Sequence, residues 1–132
     1  MKTKPEVLAP CGSFDALTAA LRTGADAVYF GAGDFNARKN ADNFGGEQLS
    51  AAAKACRLHG VKFHITLNTL VGDGELQNFT QTVKRTCKIA ADALILQDLG
   101  ALRLVRALCP DMELHASTQM SVGTKAGLQL LK

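Results

Sequence analysis

Ala25-Asp-Ala-Val28 returns as Ala91-Asp-Ala-Leu94, each copy standing where a helix gives way to a strand. The offset, 91 minus 25, is 66 residues, or two units of about 33, the length of a strand with its crossover helix. A phrase repeated at that period predicts an α/β chain of parallel strands joined by right-handed helical connections. Outward from the echo, the spacing predicts strands over Glu6 to Ala9, Ala27 to Phe30, Lys62 to Asn68, Ala93 to Leu96 and Met112 to His115. Between them lie helical stripes: Phe14, Leu17 and Leu21; Leu49, Ala52, Ala53 and Cys56; Leu76, Phe79, Val83 and Cys87; Leu102, Val105 and Cys109. Ser13 and Asp98 stand as N-caps, Gly24 and Gly60 as stops, and Pro110 ends the fourth helix. A last amphipathic segment runs from Ser121 to Lys132.

Such a repeat builds either an open doubly wound sheet or a closed barrel. No glycine-rich phosphate loop follows the first strand, and Gly31-Ala-Gly33 lacks the third glycine and the following helix of a dinucleotide fingerprint. A complete eight-stranded barrel takes about 250 residues. The 132 residues supply five strands, so the expected fold is the N-terminal portion of a TIM-like barrel, one domain over residues 1–132 of a longer protein. A partial barrel leaves its first and fifth strands unpaired, which invites dimerisation through those edges.

Composition sets the remaining bounds. Apolar residues make up 47% and charged residues 20%, a globular balance, and no apolar run approaches the roughly 20 residues of a membrane span. Only Val7-Leu-Ala9 follows the basic N-terminus before Pro10, so no secretory signal is read and the cytoplasm is the expected location. Cys11, Cys56, Cys87 and Cys109 are far apart, with no paired spacing for zinc. Cys56, Cys87 and Cys109 are expected as packing thiols in a reducing compartment, whereas Cys11 precedes a helix N-terminus, where a thiol pKa can be lowered. The net charge of +3 is spread along helices, and only Arg38-Lys39, in the long loop from Gly31 to Gly46, gathers charge for a phosphate.

In parallel α/β proteins ligands bind where the strands end. Tyr29, Asn68, Gln97, Asp98, His115, Ser117 and Gln119 fall there and are expected to line one mouth, with Arg38 and Asn43 reaching in from the long loop. In this reading His115 is a general base or ligand, Ser117 and Gln119 bind substrate, and Arg38 anchors a carboxylate or phosphate. His115 and Ser117 share a strand face, and Asp98 is the nearest acid in the preceding unit, which leaves open a serine-type triad or a metal held by His115 and Asp98. The other reading has these groups satisfying one another. His64 is expected to be structural and His59 an exposed helix end.

Pro5-Glu-Val-Leu-Ala-Pro-Cys-Gly-Ser13, Gly24-Ala-Asp-Ala-Val-Tyr-Phe-Gly31, Asn43-Phe44, Thr66-Leu-Asn-Thr69, Ala91-Asp-Ala-Leu-Ile-Leu-Gln-Asp98 and His115-Ala-Ser-Thr-Gln119 occur in order. Together they resemble the start of peptidase family U32, the collagenase-like peptidases, over nearly the whole chain. Cys11 stands where the family commonly has Ala, and Ser121 and Thr124 where it often has Asn. The resemblance implies an N-terminal barrel segment of a peptidase acting on peptide. It equally implies kinship with members that hydroxylate RNA bases or a quinone precursor using an iron-sulfur cluster. The family's cluster cysteines match none of the four here, so no cofactor is expected in this segment and a cluster only in the full-length protein. The alternative is a non-catalytic scaffold that binds RNA or a partner, its chemistry lying elsewhere in the protein. A barrel aldolase lacks its strand-end lysine.

Overall fold

The computed structural model describes residues 4–37 and 43–131, so Arg38 lies outside the described residues. Five strands, β1 (Leu8–Pro10), β2 (Ala27–Gly31), β3 (Lys62–Leu67), β4 (Ala93–Leu96) and β5 (Glu113–Ala116), form one sheet in sequence order, every pair parallel. Helices α1 (Phe14–Arg22), α2 (Gly46–Leu58), α3 (Leu76–Lys88) and α4 (Leu99–Leu108) connect them. Strands laid down in order with connections of one hand put every helix on the same face.

The burial pattern follows from that placement. Val28, Phe30, Phe63, Ile65, Leu67, Leu94 and Leu96 are buried in one core with Leu17, Leu49, Ala52, Ala53, Cys56, Phe79, Val83 and Val105 from the helices. The alternating residues point the other way, onto a face that no described helix covers: Tyr29, His64, Ile95 and His115 are half-buried, and the smaller Ala27, Thr66 and Ala93 are buried among them. The sheet is open rather than closed into a barrel, with β1 and β5 at its margins.

Several local expectations shift. Phe14 leaves the buried stripe of α1; it is 39% exposed and rests edge-on against Phe44 at 5.0 Å, while Ala20 joins Leu17 inside. β1 starts two residues later than expected and takes in Pro10, which a margin strand tolerates. The last helix shortens to α5 (Lys125–Leu130), because Ser121 adopts a left-handed φ of +55° and Thr124 caps the helix through its hydroxyl. Cys87 and Cys109 are not packing thiols: they are joined in a disulfide that ties the end of α3 to the end of α4. The two free thiols, Cys11 and Cys56, are buried. Burial raises the Cys11 thiol above its ordinary value and that of Cys56 to about 11, so desolvation, not a helix terminus, governs Cys11.

Candidate functional site

At the carboxyl ends of the strands the uncovered sheet face and the loops above it enclose a cavity of about 470 Å³. Tyr29 from β2, Asn43 from the long loop, Asn68 just after β3, His115 from β5, and Ser117 and Gln119 beyond it all line it. These are six of the nine residues expected at the mouth. Gln97 and Asp98 are not on the wall. The side-chain amide of Gln97 donates to the Gln119 carbonyl at 3.3 Å and so supports the rim from behind. Asp98 accepts from the Ala101 backbone N–H at 2.7 Å as the N-cap of α4, a use that occupies the carboxylate.

The wall is held by amide side chains. Asn68 accepts from the Ala37 backbone N–H at 3.0 Å and donates to Ser117 Oγ at 3.4 Å, linking the long loop to the segment after β5. Ser117, 7% exposed, also accepts from the Gln119 N–H at 3.3 Å, and its own N–H extends the ladder to the Leu96 carbonyl at 2.8 Å. Asn36, which sequence reasoning missed, is 2% exposed and donates to the Gly33 carbonyl at 2.7 Å. It fits because residue 31 is glycine: a Cβ there would lie 2.6 Å from both Asn36 Cγ and Asn43 Oδ1.

The histidine chemistry is arranged along β5. Glu113 and His115, two residues apart and therefore on one face, meet at 2.6 Å between Oε1 and Nε2. The bond to His115 holds the Glu113 carboxyl below its ordinary value. Thus the acid paired with His115 is Glu113, while Ser117 faces Asn68; the period-two pattern of the strand was the signal for Glu113. Beneath them His64 sets its ring edge-to-face on His115, centroids 4.9 Å apart, and its Nδ1 is buried without a hydrogen-bond partner among the described residues. Burial, then the neighbouring His115, lowers its pKa. Among the described residues the mouth therefore offers amides, hydroxyls, a phenol and one imidazole.

A cluster or metal is not matched by this donor set. Among the described residues no group of three or more His, Cys, Asp and Glu converges, two cysteines are bonded to each other, and the other two are buried in the core. Nor is any described helix long and apolar enough to cross a membrane.

The model of peptidase family U32 matches residues 12–132. The chain is 34% identical over 125 residues to a protein named collagenase from Porphyromonas gingivalis, covering 94% of this chain and 30% of that one. To tRNA hydroxylation protein P1 of Bacillus subtilis it is 30% identical over 129 residues, 98% of this chain and 31% of the relative. To the 23S rRNA 5-hydroxycytidine C2501 synthase of Escherichia coli it is 37% identical over 119 residues, 90% of this chain and 18% of the relative. The chain spans about a third or less of the length of these curated relatives. No solved structure matches it.

Proposed function

The chain belongs to peptidase family U32, and from that premise we propose that it is the substrate-holding segment of an RNA-modifying member, its mouth receiving one base of an RNA. The observation that carries this reading is, among the described residues, the amide-rich wall of Asn43, Asn68, Ser117 and Gln119 with Tyr29 beside it. Amides and hydroxyls present the paired donors and acceptors that base edges require, and an aromatic ring stacks on an unpaired base. Hydroxylation of tRNA and rRNA is what two relatives are named for. An iron-sulfur cluster, if it serves the reaction, is held by residues other than these, and the segment contributes binding and orientation. His115, kept in place by Glu113, is the group that holds or accepts a proton at the base.

The name peptidase finds less support in the geometry. A serine hydrolase needs its base against the nucleophile. Here His115 Nε2 is bonded to Glu113, and Ser117 Oγ accepts from Asn68 and Gln119. The test is binding of a short single-stranded RNA to the purified chain and to Asn68→Ala, beside a gelatin-cleavage assay of the same samples. Binding weakened at least tenfold by the substitution is expected. Gelatin cleavage abolished by Ser117→Ala, with RNA binding unaffected by Asn68→Ala, would replace this reading with the peptidase one.

A further inference from the structure

The two described ends of the connection between β2 and α2 form a wall with two sides. Gly31 and Asn43 line the mouth, while their sequence neighbours Ala32 and Phe44, paired in an isolated parallel bridge, line a second cavity of about 230 Å³ on the outer surface. That groove runs between the first turn of α2 and the carboxyl-terminal half of α3. Leu49 and Ile89 contribute its apolar floor, Ser50 and Thr82 hydroxyls, and Arg85 and Lys88 its charge; among the described residues no acidic side chain lines it. The surrounding helices amplify the sign. α2 and α3 together carry Lys54, Arg57, Lys84, Arg85 and Lys88 against the single carboxylate of Glu47. Arg57 donates to the Ile89 carbonyl at 2.6 Å, which brings the basic ends of the two helices together.

A positive groove with apolar walls that shares a wall with a base-sized mouth has the form of a strand-tracking surface: cations follow the phosphates while bases or riboses lie on the floor. We propose that the α2–α3 groove is a second RNA contact, holding the ribose-phosphate backbone of the strand whose base occupies the mouth. The inference rests on the RNA reading above. It differs from it in chemistry, because the described wall of the mouth is built mainly of amides and hydroxyls and reads one base, whereas the groove carries Arg85 and Lys88 and reads only backbone. Arg85 and Lys88 are both exposed, so their replacement leaves the core untouched.

The experiment is fluorescence anisotropy of a labelled single-stranded RNA on the purified chain, across salt from about 50 to about 200 mM. Parent, Arg85→Ala/Lys88→Ala, Arg85→Glu/Lys88→Glu and Asn68→Ala are compared after their circular dichroism spectra are matched. Losing two phosphate contacts on a single strand should flatten the plot of log K against log salt by about 1.4. The charge reversal should weaken binding further, and RNAs of different sequence should lose affinity alike. Asn68→Ala should leave the salt slope as in the parent. Parent-like slope and affinity in both groove variants would overturn the groove while leaving the mouth reading intact. The converse result, a flattened slope in the groove variants with no effect of Asn68→Ala, would uphold the groove and remove the mouth. If polyglutamate rather than RNA loses binding in the groove variants, the surface serves an acidic protein and the proposal fails.

Discussion

His64 lies in contact with His115, and the charged groups that act on it are His115, Asp92, Glu113 and Lys62. Burial is the largest influence and favours the neutral ring, so its folded pKa lies below the ordinary 6.5. The unfolded chain then binds more protons in the interval between those two values. Stability is full above about pH 6.5 and is lost as pH falls toward the folded value. Thermal melts from about pH 8 to about pH 5 should show that decline, and His64→Gln should reduce it in the same interval. Identical pH profiles for parent and variant would refute the assignment. The lowered Glu113 carboxyl acts in the same direction, but only below its ordinary 4.5. Gly31 tests the mouth by shape alone. A Cβ at this position sits 2.6 Å from Asn36 and Asn43, so Gly31→Ala should cost about 1–3 kcal/mol in denaturant unfolding and weaken RNA binding, through displacement of both amides. A variant as stable as the parent would show that the loop yields freely.

Asp98 and the disulfide decide what holds the helices. If Asp98 serves only as the N-cap of α4, Asp98→Ala should cost about 1 kcal/mol in denaturant unfolding while Asp98→Asn, which keeps the acceptor, restores most of it. An activity lost in both variants despite normal stability would assign the carboxylate to chemistry instead. The Cys87–Cys109 bond closes a separation of 22 residues, and constraining the unfolded chain to that extent stabilises by about 3 kcal/mol. Cys87→Ser/Cys109→Ser should lower stability by that order and remove its dependence on reductant, and thiol titration of the unfolded parent should find only Cys11 and Cys56 before reduction. Four thiols before reduction would exclude the bond. The repeated Ala-Asp-Ala turns and the apolar stripes made all five strands and the four connecting helices legible, because each is a local pattern of period two or 3.6. The disulfide was not legible, since α3 and α4 bring Cys87 and Cys109 together only through packing on the sheet. For the same reason Tyr29, Asn68 and His115 could be assigned to one strand-end mouth, whereas Asn36 could not: its burial depends on the missing side chain of Gly31 across the loop.

At the scale of the molecule, five parallel strands in sequence order leave, among the described residues, one sheet face without a helical layer and two strands with a free side. On the β1 margin Val7 is 50% exposed and Leu8 47%, and half-buried Tyr29 and Ile95 continue the uncovered face toward β5. Apolar side chains beside an unpaired strand form a template for further pairing, and charge on such a strand opposes it. The isolated chain should therefore associate as its concentration rises, with a second copy adding along β1 or β5. Sedimentation velocity over a wide concentration series reads this directly: a weight-average mass climbing from monomer toward dimer is expected, and Leu8→Lys should hold the chain nearer monomer by placing a charge on the margin. Since Leu8 also lines the mouth cavity, association through β1 should compete with RNA. Adding saturating RNA should then shift the distribution back toward monomer, and a chain that stays monomeric at every concentration would show that the margins are protected as they stand.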